Sequence, residues 1–213
     1  MKVHYTSVDD ARKAVDQLLR VWELADALQR GRREIRFVFQ KAQVIDRDPP
    51  PGSQVCSFHT AGTIQASGRF SLRVARAEYP AFPQHFTTSP DVETLWYRYE
   101  GYVQGREPLP SMAYFCQSFI EKVLARGRDD AATEYHIQRK VLEILGNLHS
   151  HKGDLTTRRK MEHEQERDAP QVTQQEVTWM EAALKMLIWR VGEYAANPTV
   201  PWPQLSMHDL PQV

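Results

Sequence analysis

Cysteine, glycine and net charge are all scarce in this 213-residue chain. Cys56 and Cys116 are too few for a disulfide framework, so two reduced, partly buried thiols are expected. Lys plus Arg equals Asp plus Glu at 27 each, so no global basic field draws the chain to nucleic acid or an anionic membrane. A locally basic patch can still form. No run of about 18 apolar residues occurs. Met1 to Ser7 lack the apolar centre of a signal peptide, so a cytoplasmic protein without a membrane contact is expected. GxSxG, GxGxxG, GxxxxGK and HExxH are all missing. That removes the commonest nucleophile, phosphate-loop and zinc signatures, and no cofactor is expected.

What the chain does contain is a change of rhythm near Ser89. Ser7 and Asp10 make a capping-box-like start to a helical stripe of Val8, Ala11, Val15, Leu18, Leu19, Trp22, Ala25 and Leu28, with Gly31 placed to end it. Ile35, Phe37 and Phe39 then alternate with Arg36, Val38 and Gln40, the period of a half-buried strand. A shift of phase to Ala42 and Val44 suggests a bulge near Gln40. Asp48-Pro49-Pro50-Pro51-Gly52 reads as a surface loop. Two more strands are expected over 55–66 and 69–77, joined by a hairpin turn at Ser67-Gly68, and Lys2 to Thr6 could add an edge strand. Arg36, Arg69 and Arg73 fall on alternate strand positions. With the aromatics Phe37, Phe39 and Phe70 on the apolar phase, they read as a solvated face rather than an RNA-stacking platform.

From Ser89 onward the period is helical. Ser89-Pro90-Asp91 is a capped start, Val92, Leu95, Trp96, Tyr99 and Val103 form the stripe, and Gly105 closes it. Tyr97 falls outside that stripe. Leu109, Met112, Ala113, Cys116, Phe119, Ile120 and Val123 mark a second helix ended by Gly127. A third runs from about Ala131 to Leu148, with Tyr135, Val141, Leu142, Leu145 and Leu148 inward. The stretch His149 to Val172 is dense in charge of both signs and reads as a loop. Thr173 and Glu176 then cap a last helix carrying Val177, Met180, Leu184, Leu187, Ile188, Val191 and Tyr194, stopped by Asn197-Pro198. The remaining tail is rich in proline and extended, pinned by Trp202.

The expected fold is therefore α+β: a small antiparallel sheet backed by an N-terminal helix over 1–88, a bundle-like region of four helices over 89–197, and an extended tail over 198–213.

The densest group of potential ligands is His149, His151 and Asp154, an imidazole and carboxylate set that suits a divalent ion. Histidines at a helix end also complement its dipole without any metal, which is the simpler reading. Arg158 and His163 have an Arg-x4–6-His spacing that resembles the motif of the HEPN family, whose Arg and His act at an RNA phosphodiester. In a chain this rich in arginine such a spacing arises by chance, and Arg158-Arg159-Lys160 beside Glu162, Glu164 and Glu166 is more simply a solvated run.

Val141-Leu142-Glu143-Ile144-Leu145-Gly146-Asn147-Leu148, Lys152-Gly153-Asp154, Arg158-Arg159-Lys160 and Trp179-Met180-Glu181-Ala182-Ala183-Leu184-Lys185 resemble a group of bacterial proteins that includes the methylamine-utilisation accessory protein MauJ. The resemblance implies a helical C-terminal part with a charged loop before the final helix, and it brings no catalytic residues. The same part, with Gly146-Asn147 and a nearby histidine before the last long helix, also resembles the HEPN family in topology, and that resemblance implies Arg158 and His163 acting with His149 or His151 nearby; fold alone does not carry that activity. The leading expectation is a non-enzymatic accessory protein of bacterial type. It would bind another protein or itself through Lys152, Arg158, Arg159 and Lys160 and the bundle surface. The alternative is an HEPN-like RNA-cleaving or RNA-binding protein.

Overall fold

The computed structural model describes residues 7–30, 37, 82–151 and 171–212. Among them six α-helices carry the fold: α1 (Val8–Arg30), α2 (Pro90–Val103), α3 (Leu109–Phe119), α4 (Arg128–Glu134), α5 (Arg139–His151) and α6 (Gln174–Ala196). No β-strand occurs among the described residues, and one isolated parallel bridge, Ile137 with Leu205, is the nearest approach to one. The α+β expectation is thereby corrected to a helical architecture over these residues. The apolar face of α1 needs cover from either a sheet or the helical half, and α1 packs on α6. The expected strands lie outside the described residues, Phe37 excepted.

The helix ends are set by local chemistry. The Asp10 N–H donates to Ser7 Oγ at 3.1 Å, and the Ser7 hydroxyl donates to the Asp10 carboxylate at 2.7 Å. Ser89 Oγ accepts from the Val92 N–H at 3.2 Å, with Pro90 in the first turn of α2. α2 closes on Gly105, whose φ of +70° frees the Gly105 N–H for the Tyr102 carbonyl and the Arg106 N–H for the Gly101 carbonyl. That double bond pattern is a Schellman turn and suits glycine. Thr173 and Glu176 form the full capping box at the start of α6.

Three stripes depart from the expected pattern. After α3 the chain widens into a π turn over Ile120–Leu124, closed by the Ala125 N–H on the Ile120 carbonyl at 3.0 Å. The extra residue rotates the stripe, so Val123 is 65% exposed and Leu124 packs against the core instead. The helix expected over 131–148 is split into α4 and α5 at His136, whose φ is +50°. There the His136 carbonyl and Gln138 N–H turn to Leu205 at 2.8 and 2.7 Å, a tertiary pairing that no breaker residue announces. In α1, Val21, Leu24, Ala25 and Leu28 are buried, whereas Val15 and Leu18 stay 52% and 47% exposed.

α6 is the axis of the molecule. It touches α1, α2, α3 and α5, and Trp179, Met180, Ala183, Leu184, Leu187 and Ile188 on it are fully buried. Gly192 lets Phe86 lie flat against the helix: a β-carbon there would sit 2.1 Å from the Phe86 ring. The Thr87 N–H donates to the Gly192 carbonyl at 3.2 Å, which fixes the segment before α2. The C-terminal tail joins the same core through Leu205 and Leu210. Leu205 is its buried anchor; Trp202 is only half-buried, against His85.

Candidate functional site

A polar chain is buried where α3, α5 and the start of α4 meet. Gln117 sits on α3 among Ala113, Cys116 and Ile120, so its amide points into the core rather than to water. Its nitrogen donates to the Leu142 carbonyl at 2.9 Å and to Glu121 Oε1 at 2.6 Å. With both hydrogens used, the amide oxygen must accept, and it faces His149 Nε2 at 2.9 Å. His149 therefore carries its proton on Nε2, and its Nδ1 faces Ser150 Oγ at 3.0 Å. Glu121 also accepts from Arg128 Nε at 2.7 Å, which neutralises the acid at the chain's outer end. Tyr114 stands edge-on to the imidazole at 5.4 Å. Gly146 is part of the fit: a methyl there would lie 3.3 Å from the Arg128 guanidinium and 3.4 Å from the Gln117 amide. This arrangement orients the His149 ring and ties α3 to α5.

Of the residues singled out from sequence, His149 is the one whose surroundings are described. It is 5% exposed and turned toward α3, with both ring nitrogens hydrogen-bonded, so a metal ion would have to displace Gln117 or Ser150. His151 is the last residue of α5. Lys152, Asp154, Arg158, Arg159, Lys160 and His163 lie outside the described residues. Among the described residues no group of three or more His, Cys, Asp or Glu side chains is placed to hold a metal. Burial pushes the Cys116 thiol up to about 12, which keeps it protonated and unreactive at neutral pH. Sequence reasoning missed Gln117 and Arg190. Both are polar residues set against the apolar positions of a helix stripe, and that offset was the available signal.

Arg190 on α6 is a second buried hub. It donates to the Tyr135 carbonyl at 2.9 Å, the His136 carbonyl at 3.0 Å, the Pro203 carbonyl at 2.8 Å and Glu193 Oε2 at 2.9 Å. One guanidinium thus ties the α4–α5 joint and the tail to α6. Beside it a cavity of about 430 Å³ opens between α1, α6 and Leu205. On the other side of α6, the Tyr102 hydroxyl donates to Glu181. Tyr99 beside it is pushed up to about 12, by burial first and by Glu181 second.

The N-terminal half of α1 is held differently. Arg20 makes a two-pronged pair with Glu93 of α2, at 2.7 and 2.6 Å, and the carboxylate holds the guanidinium further toward its charged form. At 3.6 residues per turn, Val15 and Leu18 fall about 140° and 160° around the helix from Arg20. The polar side of α1 is thus turned to α2 and the apolar side away from it.

No family model, curated protein or solved structure matches this chain, so the geometry above carries the functional argument alone. No helix among the described residues is long and apolar enough to cross a membrane.

Proposed function

We propose that the chain is a non-enzymatic interaction protein of the bacterial cytoplasm, and that α1 pairs with the same helix of a second copy. One observation carries this reading: Val15 and Leu18 are half-exposed on the side of α1 opposite its tether to α2. In sequence Val8, Ala11, Val15 and Leu18 follow the three-and-four spacing of a coiled-coil seam, which a twofold pairing buries on both copies at once; the spacing runs on to Trp22, which packs against Phe37 and Phe82 of its own chain. Fully burying a valine or leucine contributes about 1.5–3 kcal/mol, and part of that is already realised here. Set against the cost of association, the seam supports a weak dimer, with a dissociation constant on the order of 0.1–1 mM.

Sedimentation velocity over a range of concentrations tests this. The weight-average sedimentation coefficient should rise with concentration. A Val15→Asp/Leu18→Asp variant should stay monomeric with an unchanged melting temperature, because neither side chain holds the bundle. A wild-type protein that is monomeric throughout, or a variant that associates equally, contradicts the reading. The RNA-cleaving alternative rests on Arg158 and His163. Cleavage of an RNA pool by the wild-type protein, lost in Arg158→Ala/His163→Ala, would replace the interaction reading.

A further inference from the structure

We infer that the cavity between α1, α6 and the C-terminal tail is a binding site for a small apolar monocarboxylate, with Lys185 as the cation that receives the carboxylate. The inference goes beyond the interaction reading and does not depend on it.

The walls set the apolar part. Leu28 from α1, Ala182, Met186 and Trp189 from α6, and Leu205 from the tail enclose the space. At about 430 Å³ it falls within the range of small-molecule sites. Trp189 is fixed on two sides: its ring stacks on Phe86 at 4.6 Å and its Nε1–H donates to Glu193 at 2.9 Å. The wall is thus formed before any ligand arrives, which reduces the ordering cost of binding.

The polar groups set the head of the ligand. Arg190 commits four of its five N–H donors to Glu193 and three backbone carbonyls. Glu193 accepts from both Arg190 and Trp189. That ion pair is closed, and its charges cancel. Lys185 and Gln29 line the same space and make no hydrogen bond or ion pair among the described residues. One uncommitted positive charge beside a mostly apolar wall suits a ligand with one negative end and an apolar body. A cationic ligand meets Lys185 as a like charge, and a neutral one leaves the ammonium without a counter-charge.

Isothermal titration calorimetry of the full chain with octanoate, octan-1-ol and octylamine tests the assignment. Octanoate should bind at one site per chain, with octan-1-ol weaker on the order of tenfold, the size of one charged hydrogen bond, and octylamine weaker again. Lys185→Met should weaken octanoate by the same factor and leave octan-1-ol unchanged. Ala182→Phe, which fills the space from a half-exposed position, should abolish binding of both. Melting temperatures of the two variants should match wild type, and octan-1-ol binding by Lys185→Met reports an intact cavity. Absence of octanoate binding at about 1 mM, equal affinity for octylamine, or an unchanged octanoate affinity in Lys185→Met would overturn the assignment.

Discussion

The two halves of α1 share one helix and one apolar period, yet they meet different surroundings. From Val21 to Leu28 the helix is buried, with Glu23 and Asp26 taken inside as well as the apolar positions. Three and six residues before Val21 the same period presents Leu18 and Val15 to water. The difference lies in what stands opposite. The C-terminal half packs on α6, whose core face is continuous from Trp179 to Val191, and the N-terminal half is held to α2 by the Arg20–Glu93 pair on its polar side. Amphipathic period therefore tells which side of a helix wants cover, and not whether the same chain supplies it.

Truncation sharpens that contrast most. Leu24→Ala should cost about 3 kcal/mol in a denaturant melt, because it leaves a cavity under α6, whereas Leu18→Ala should stay within about 0.5 kcal/mol in the monomer. Equal costs would mean that both halves are covered. The next largest effect is expected at Arg190, which secures the end of the helix that α1 leans on. Arg190→Met leaves the Tyr135 and Pro203 carbonyls without their donor and the His136 carbonyl with the Leu205 N–H alone, and should cost about 2–3 kcal/mol. Hydrogen exchange should show the Leu205 and Gln138 amides losing protection in that variant, while those of α2 keep theirs.

Gln117→Leu should cost about 1–3 kcal/mol, since it strips His149 Nε2 of its acceptor inside the α3–α5 contact. A smaller effect follows from titration. Burial raises Cys116 from an ordinary 9.0, and Tyr99 from 10.0, each to about 12. Folding favours the neutral form of both, so their contribution is complete below about pH 9 and is lost as pH rises toward 12. The melting temperature should fall across that window, and Cys116→Ala should flatten the fall. An identical alkaline limb in that variant would assign the loss to other groups.

Much of the helical frame was legible in the residues. Ser89-Pro90, the Thr173–Glu176 box and Asn197-Pro198 mark helix ends by local hydrogen-bond chemistry, and the structure uses all three. Met112, Cys116, Leu145 and Leu184 were placed inward correctly by period alone. What escaped was decided by long-range contacts. Nothing local in Tyr135-His136-Ile137 says that a helix breaks there, because the reason is Leu205 some 68 positions later. Val123 was misplaced by one π turn, and Val103 by the Schellman turn that follows it. The expectation of a sheet rested on period-two alternation over 35–40, 55–66 and 69–77; no strand occurs among the described residues, and α6 covers α1 there. Within the candidate site, His149 stood out as a ligand type, while its actual partner Gln117 was hidden among apolar neighbours.

Hydrogen–deuterium exchange of α1 as a function of protein concentration separates a helix that pairs with its own copy from one that stays exposed. Self-association through the exposed seam predicts that the amides of Ala11 to Leu19 gain protection as concentration rises, while those of Val21 to Leu28 stay fully protected throughout. Protection in both halves that is independent of concentration would contradict it.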